Sequence, residues 1–270
     1  MDLMLQDKIA IVTGSRGICK ETALTLAEEG ANLAITYVSE DGKISAEDSV
    51  KKINKMGKKA IALRMNNIHL KEIETMVDSV IEEYGKIDIL VNCAGVCTPV
   101  LAQDTTEEQF DFDIGTDLKG LFFCSKEVFN KSMKKQNSGN IINISSVIGV
   151  APIKTNPVYG AAKAGVLNIT RYLAIEWGPY GVRVNAVSPG WIATELLLRY
   201  QREGKSADPN SVTRCVPLGR FGEPREIADT VAFLASEKSS FTTGANVVVD
   251  GGIIAGIRLS SFIDGKIEVL

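Results

Sequence analysis

The sequence contains little of several residue types on which whole classes of protein depend. It has one histidine, His69, so neither a histidine-rich metal site nor a Ser-His-Asp triad is expected. Its five cysteines are odd in number and form no C-x-x-C pair, which favours free thiols in a reducing compartment. No apolar run reaches the roughly 18 residues of a membrane span, and the N-terminus lacks the pattern of a signal peptide. We therefore expect a cytoplasmic protein with no metal and no membrane partner.

The charge balance excludes a further class. The chain has 30 Lys and Arg against 33 Asp and Glu, a formal net charge of −3. It has no basic excess to neutralise phosphates, so we expect no nucleic-acid partner. The 270 residues, 45% of them hydrophobic, suffice to bury a core without disulfides. No Pro/Gly/Ser-rich linker and no internal repeat divides them, which favours one domain over residues 1–270.

Short runs rich in Val and Ile alternate with longer amphipathic segments. The apolar continuity of the runs indicates strands buried on both faces, as in a parallel sheet. The predicted strands are 8–13, 32–36, 60–63, 87–92, 140–144, 182–187 and 246–249. The predicted helices are 21–29, 72–83, 106–134, 158–177 and 225–234. This alternation predicts a doubly wound α/β fold with helices on both faces of a parallel sheet. Residues 192–217 are a candidate substrate loop, and residues 253–270 a C-terminal tail.

The first predicted strand runs into a glycine-rich turn, TGSRGIC, at Thr13–Cys19. Small residues between a strand and a helix let the backbone approach a pyrophosphate, and the helix N-terminus favours its charge. A turn of this kind also serves as an ordinary tight connection. Its position after the first strand of a βαβ unit favours the dinucleotide site.

A second pattern is Tyr159-Gly-Ala-Ala-Lys163, with Ser146 upstream at the end of a predicted strand. Tyr159 and Lys163 are four residues apart, so they share one face of a helix. A phenol with a pKa of about 10 is a poor acid–base group near neutral pH, and a neighbouring ammonium lowers that pKa. A Tyr and a Lys at this spacing are also common on solvated helices. The context of the pair decides between these interpretations.

In that context the chain resembles the short-chain dehydrogenase/reductase family over nearly its full length. The matching motifs are TGSRGIC, NCAG at 92–95, NISS at 143–146, YGAAK at 159–163, SPGWIAT at 188–194 and VDGG at 249–252. The resemblance implies hydride transfer with Tyr159 as general acid/base. It implies that Lys163 holds the nicotinamide ribose and depresses the tyrosine pKa, while Ser146 orients the substrate oxygen.

The resemblance also implies a set of cofactor-binding positions, with Thr194 on the carboxamide side of the nicotinamide. Together with Tyr159 and Lys163, the predicted cofactor-binding residues are Gly14, Ser15, Arg16, Gly17, Ile18, Tyr37, Ser39, Asn66, Asn67, Asn92, Ala94, Gly95, Pro189, Gly190, Ile192 and Thr194.

Three positions depart from the family pattern. The turn usually reads T-G-x-x-x-G-x-G, but here it is one residue shorter and Cys19 replaces the last glycine. An Asp that often binds adenine is replaced by Asn66 and Asn67. Asp117 stands where the family commonly has a catalytic asparagine, so it is a candidate catalytic residue. Its carboxylate either lies near Lys163 and competes for its hydrogen bonds, or faces away and caps local backbone.

The end of the second strand bears on cofactor choice. NAD-specific relatives usually place an acid there, whereas this chain has Tyr37, Val38 and Ser39. Arg16 in the turn is placed to reach a 2′-phosphate, so NADP(H) is favoured over NAD(H). Alternatively, Arg16 is a solvated cation and Tyr37 stacks on adenine.

The substrate walls are predicted at 96–100, 148–152 and 191–200, which are mostly apolar and suit an apolar or cyclic ketone or alcohol. The first alternative is 3-oxoacyl reduction. Many acyl-carrier-protein reductases have an Arg where this chain has Ile175, which weakens that alternative. The alternative of another class is a catalytically weak dinucleotide-binding relative, suggested by the shortened turn, Cys19 and Asp117. Family resemblance and general symmetry rules favour a homotetramer.

Overall fold

The computed structural model describes residues 3–195, 197–198, 209–255, 262–263 and 266–267. Seven parallel strands form one sheet in the order β3-β2-β1-β4-β5-β6-β7. They are β1 (Ile9–Val12), β2 (Asn32–Tyr37), β3 (Ala60–Arg64), β4 (Ile89–Asn92), β5 (Gly139–Ile144), β6 (Val182–Pro189) and β7 (Asn246–Val249). All seven predicted strands are present, and the doubly wound α/β fold is confirmed.

Helices cover both faces of this sheet. They are α1 (Ile18–Glu28), α2 (Glu40–Lys55), α3 (Leu70–Tyr84), α4 (Glu107–Ile114), α5 (Gly120–Val128), α6 (Lys134–Gln136), α7 (Pro157–Trp177), α8 (Pro209–Cys215) and α9 (Pro224–Ala235). Among the described residues, no helix is both long and apolar enough to span a membrane.

Alternation along each strand divides the core into two clusters. In β1, Ala10 and Val12 pack in the cluster that contains α1 and α9, while Ile9 and Ile11 pack in the cluster that contains α3, α5 and α7. Successive side chains of a strand point to opposite faces, so a strand covered by helices on both sides is apolar throughout.

Two elements differ from the sequence-based expectations. Helix α2 was not predicted, because its buried positions are mostly small or polar (Gly42, Ala46, Ser49 and Ile53) and give a weak apolar stripe. The signal that marks it is Ser39, which accepts a hydrogen bond from the Gly42 N–H at 3.2 Å as an N-cap. The predicted helix 106–134 is instead α4, α5 and α6 in series, joined by π-helical turns at Gly115–Lys119 and Phe129–Met133.

The topology places a crevice at the carboxyl ends of β1 and β4. Strand order runs from β1 to β2 and β3 on one side and to β4 and β5 on the other. The connections leave the sheet in opposite directions at this point, and ligands of such sheets bind there.

The predicted loop 192–217 and tail 253–270 fall partly outside the described residues, which omit 196, 199–208, 256–261, 264–265 and 268–270. In the tail, β8 (Phe262–Ile263) pairs antiparallel with β9 (Lys266–Ile267). The roles predicted for these two segments stay predictions.

Candidate active site

A cleft of about 2340 Å³ occupies the crevice at the carboxyl ends of the strands. Its lining includes Ser146 and Tyr159 and, apart from Asn92, every residue predicted to bind the cofactor. Asp117 lies directly behind it. Gly14 and Thr194, which are 180 positions apart in sequence, thus share one cavity because the strands before them end at the same edge of the sheet.

Ser146 and Tyr159 meet at the centre of this cleft. Ser146 follows β5, and its hydroxyl accepts a hydrogen bond from the Ile148 N–H at 3.2 Å, which fixes the side chain at the start of a short 3₁₀ turn. Tyr159 lies in the first turn of α7, where Pro157 provides a helix start. The Ser146 hydroxyl lies close enough to the Tyr159 phenol to lower its pKa. A substrate oxygen between them would contact two hydroxyl groups.

Lys163 lies one helical turn beyond Tyr159 and is buried. Its Nζ donates to the Ile144 carbonyl at 3.1 Å and lies 5.5 Å from the centroid of the Tyr159 ring. Its backbone carbonyl accepts a hydrogen bond from Ser145 Oγ at 2.8 Å, which ties α7 to the end of β5. These contacts thus fix the position of the Lys163 ammonium relative to the Tyr159 phenol. Ser145 is a supporting residue that the sequence analysis missed, although it stands within the NISS motif.

Asp117 faces Lys163. Its Oδ1 lies 3.1 Å from Lys163 Nζ, and both side chains are buried. Both carboxylate oxygens also accept from the Val96 N–H at 3.3 Å. The π-helical turn Gly115–Lys119 that carries Asp117 is an irregularity of a kind common at functional sites. Of the two orientations considered from the sequence, the one in which Asp117 faces away is therefore wrong.

Opposing effects set the protonation of this group. Burial raises the pKa of Tyr159; the Lys163 charge and the Ser146 hydroxyl lower it, while Cys97 and Asp117 raise it. The net pKa of Tyr159 lies above its ordinary value, so Lys163 acts in the expected direction but does not outweigh burial. Burial lowers the pKa of Lys163, but Asp117 and Tyr159 together raise it by more than burial lowers it. The net pKa is raised, so the lysine is a stable cation. Burial raises the pKa of Asp117 against the opposing Lys163 charge.

The shortened glycine-rich turn is held by hydrogen bonds to the next βα unit. The Gly14 N–H donates to Thr36 Oγ1 at 3.0 Å, and Ser15 Oγ donates to the Gly42 carbonyl at 2.7 Å. Ser45 Oγ donates to the Ser15 carbonyl at 2.6 Å. Gly17 precedes α1 with a φ of 55° and provides no side-chain cap. The N-terminus of α1 therefore opens on the cleft with backbone N–H groups that no side chain caps.

The adenosine side of the cleft has no acid at the end of β2. Tyr37 is partly buried, Ser39 caps α2, and Arg16 in the turn is exposed. The Asn66 Oδ1 accepts from the Ile68 N–H at 3.1 Å, and Asn67 is buried. All five line the same cleft.

Asn92 is the one predicted cofactor-binding residue that does not line the cleft. Its Nδ2 donates to Ser125 Oγ and to Asn143 Oδ1, both at 2.9 Å, inside the core. Asn92 ends β4, and the alternation of the strand turns its side chain towards α5 instead of the cleft. Its Oδ1 has no hydrogen-bond partner.

Thr194 lies over the glycine-rich turn, since a Cβ built on Gly17 would come within 3.2 Å of the Thr194 Cγ2. Residues that line the cleft but were not assigned to the site by the sequence analysis include Cys93, Phe112, Thr116, Ile253 and Ile254. Phe112 and Thr116 could have been inferred, because they are in the same helical segment as Asp117 and close to it in sequence. No sequence pattern pointed to Ile253 and Ile254. Within the described ranges, no cluster of His, Cys, Asp or Glu could hold a metal ion.

Comparison with known proteins gives matches over nearly the whole chain. A family model described as "Enoyl-(Acyl carrier protein) reductase" matches residues 12–254. The 3-oxoacyl-[acyl-carrier-protein] reductase FabG of Staphylococcus aureus is 39% identical over 251 residues, 93% of this chain and 99% of that protein. The enzyme of the same name from Thermotoga maritima is 36% identical over 255 residues, 93% of this chain and all of that protein (100%).

A solved structure gives the same result for the fold. The blue fluorescent protein from a metagenomic library, in complex with NADPH, superposes with a TM-score of 0.85 at 30% identity and covers 93% of this chain and 99% of that one. These matches confirm the resemblance inferred from the motifs.

Proposed function

Because the chain belongs to the short-chain dehydrogenase/reductase family of oxidoreductases, we propose that it interconverts a secondary alcohol and a ketone with NADP(H). The observation that supports this most strongly is the contact between Ser146 and Tyr159 beside a buried, charged Lys163. The three groups supply a carbonyl-polarising hydroxyl, a proton donor and a cation. This combination suits proton transfer to an oxygen whose carbon accepts a hydride.

The residues on the adenosine side fit NADP(H). The α1 N-terminus has no side-chain cap and faces the cleft, as a pyrophosphate requires. Arg16 and Tyr37 line the same cleft, and no acid at the end of β2 would repel a 2′-phosphate. The related structure in complex with NADPH supports the same choice.

Each residue of the site would then have a distinct task. The nicotinamide, when bound, supplies or accepts the hydride. In ketone reduction, Ser146 donates a hydrogen bond to the carbonyl oxygen while Tyr159 gives it a proton. Lys163 stabilises the phenolate that remains, because its ammonium is fixed 5.5 Å from the ring centroid. Its remaining N–H group is free to hold a ribose hydroxyl, since two others are used by Ile144 and Asp117.

The substrate is, in our proposal, an apolar or cyclic small molecule. Within the predicted substrate walls, the described residues that line the cleft are mostly apolar, with Thr194 and Glu195 as the polar exceptions: Val96, Cys97, Pro99, Ile148, Ala151, Pro152, Trp191, Ile192 and Leu197. Such walls bind apolar surface and leave the two hydroxyls to select an oxygen.

Reduction of 3-oxoacyl thioesters is a second candidate, favoured by the similarity to the enzymes named FabG. It would use the same chemistry on a ketone within an acyl chain. On α7, Ile175 is 76% exposed where many carrier-protein reductases have an arginine. This position therefore lacks the charge that those reductases would use to hold an acidic carrier.

A panel of substrates tests these proposals. We expect NADPH-dependent reduction of apolar and cyclic ketones, with lower kcat/KM when NADH replaces NADPH. Comparison of a 3-oxoacyl group on a short thioester and on a carrier protein separates the second candidate. NADPH binding with no turnover of any ketone or alcohol would favour the catalytically weak relative, and no dinucleotide binding would exclude both enzyme functions.

We also propose a homotetramer, in which α7 and the α4–α6 series pair across two-fold axes. Tyr172 and Ile175 on α7 and Phe110 on α4 are large apolar side chains that the single chain leaves exposed. Closed symmetric assemblies bury such surfaces. Sedimentation is expected to give four times the chain mass of 29.1 kDa, and a monomer at micromolar concentration would contradict this.

A further inference from the structure

The cleft contains a pair of cysteines that the proposed reaction does not use. Cys19 is the second residue of α1, and Cys93 follows β4 directly. Their side chains lie close enough for each to shift the pKa of the other, and both residues line the cleft. The chain brings them together from positions 74 residues apart, and the family pattern has glycine at the position of Cys19.

The two sulfurs lie beneath the glycine-rich turn. A Cβ built on Gly14 would come within 2.8 Å of Cys19 Sγ and 3.5 Å of the Ala94 Cα. The thiol therefore occupies the narrow space between the turn and the segment after β4. Cys93 is 9% exposed and lines the cleft.

The surroundings of Cys19 lower the pKa of its thiol. The Cys93 side chain, backbone hydrogen bonds at the start of α1 and the Lys163 charge together lower its pKa despite burial. The opposite holds for two other cysteines, since burial raises the pKa of Cys97 to about 11 and that of Cys124 to about 12. A thiolate at a helix N-terminus, open to a cleft, is the form that reacts with oxidants.

We propose that Cys19 and Cys93 form a site of reversible oxidation, whose disulfide closes the dinucleotide site. The inference that NADP(H) binding is lost rests on the proposed function; the oxidation itself does not. The oxidant is a peroxide. Cys19 thiolate attacks one oxygen, so that an S–O bond forms, the O–O bond breaks and hydroxide leaves to become water. The Cys93 thiol then attacks the Cys19 sulfur, the S–S bond forms, and the oxygen leaves as a second water.

The disulfide would act on binding through the turn. It would join the first turn of α1 to the segment after β4 at the point where Gly14 already has no room for a Cβ. Formation of the sulfur–sulfur bond would draw the two segments together and shift the turn. The N–H groups of the α1 N-terminus shift with it and lose their alignment with a pyrophosphate.

Two measurements on the unmodified protein test this proposal. After treatment with hydrogen peroxide, a non-reducing digest is expected to contain a peptide linking Cys19 to Cys93, lighter than the two thiol peptides by two hydrogens. NADPH binding, followed by nicotinamide fluorescence, should fall with the yield of that peptide and return on addition of dithiothreitol. Prior saturation with NADPH should slow formation of the peptide, because the cofactor covers the cleft.

Three cysteine variants test which sulfur atoms form the disulfide. Cys19→Gly, which restores the usual residue of the turn, and Cys93→Ser should both remove the dithiothreitol-reversible loss, each compared with its own untreated binding. Cys215→Ser alters an exposed cysteine of the same cleft and should keep that loss.

The proposal is overturned if peroxide yields no Cys19–Cys93 peptide, or if the peptide forms and NADPH binding is unchanged. It is also overturned if the reversible loss persists in Cys19→Gly. Should the untreated protein fail to bind NADPH, the proposed function fails, whereas the linked peptide still decides whether the oxidation site exists.

Discussion

The cleft has two walls that the chain builds in different ways. The catalytic wall, formed by Ser146, Tyr159 and Lys163, carries its chemistry on side chains and matches the family motif. The cofactor wall, the turn at Thr13–Cys19, would bind phosphate with backbone N–H groups, and here the chain departs from the motif. A phenol or an ammonium has no backbone equivalent, whereas every residue except proline supplies an N–H. A shortened turn can therefore keep its task, while a substituted tyrosine cannot.

The supports of the two walls differ as well. The catalytic wall is fixed locally, by Ser145 Oγ on the Lys163 carbonyl at 2.8 Å and Lys163 Nζ on the Ile144 carbonyl at 3.1 Å. The cofactor wall is fixed by the neighbouring βα unit, through Ser15 and Gly42 at 2.7 Å. Substitutions in one wall should thus leave the task of the other unchanged, and the predictions below test this separation.

The largest expected effect is that of Tyr159→Phe. Removal of the hydroxyl eliminates the proton donor while the ring, which packs beside Lys163, remains. General acid–base groups contribute about 10²–10⁴-fold to rate, so kcat should fall by that order. The dissociation constant of NADPH, measured by fluorescence titration, should stay unchanged because the cofactor wall is intact.

Tyr172→Phe provides a matched control, since Tyr172 is on the same helix and 61% exposed. It should retain full turnover. Substantial activity in Tyr159→Phe would remove the tyrosine from the mechanism, and a large loss of NADPH binding would mean that the two walls are coupled.

A smaller effect, on the other wall, is expected from Arg16→Ala. A hydrogen bond to a charged group contributes about 1.5–3 kcal/mol, so NADPH should bind roughly 10- to 100-fold more weakly. NADH has no 2′-phosphate, and its binding and the kcat with either cofactor should change little. Arg171→Ala, an exposed arginine on α7, is the control. Equal weakening of both dinucleotides would assign Arg16 to the pyrophosphate or to the fold instead of the 2′-phosphate.

The same contrast explains how much of the molecule could be predicted from its sequence. The strands were found because apolar side chains on both faces leave continuous runs such as IAIV in β1. Tyr159, Lys163 and Ser146 were found because motif spacing fixes their positions on α7 and at the end of β5. Helix α2 was missed because a helix packed by Gly42, Ala46 and Ser49 has little hydrophobic contrast.

Other features depend on contacts between distant segments. The inward orientation of Asp117 follows from a π-helical turn and from the Val96 N–H, which no local pattern indicates. The buried contacts of the Asn92 side chain could not be predicted because its partners, Ser125 and Asn143, lie on α5 and β5. Propensity and periodicity describe single segments, so packing between segments has to be observed.

The smallest expected effect concerns Asp117, which stands behind the catalytic wall. Its carboxylate raises the pKa of Tyr159 by like-charge repulsion of the phenolate, and it takes one hydrogen bond of Lys163 at 3.1 Å. Asp117→Asn removes the charge and keeps the shape. Lys163 keeps its ammonium, because Tyr159 also raises the pKa of the lysine. The pKa of Tyr159 should therefore fall.

For alcohol oxidation the free enzyme needs the phenolate, so the acidic limb of the kcat/KM profile should move to lower pH while the enzyme stays active. Asp113→Asn is the control: this carboxyl is also buried on the same helix series, but it pairs with Gln109 at 2.7 Å. It should leave the limb in place. If Asp117→Asn leaves the limb in place too, the carboxylate is not coupled to Tyr159, and its contact with Lys163 only supports the fold. A limb that moves to higher pH would mean instead that loss of the ion pair displaces Lys163 from the phenol.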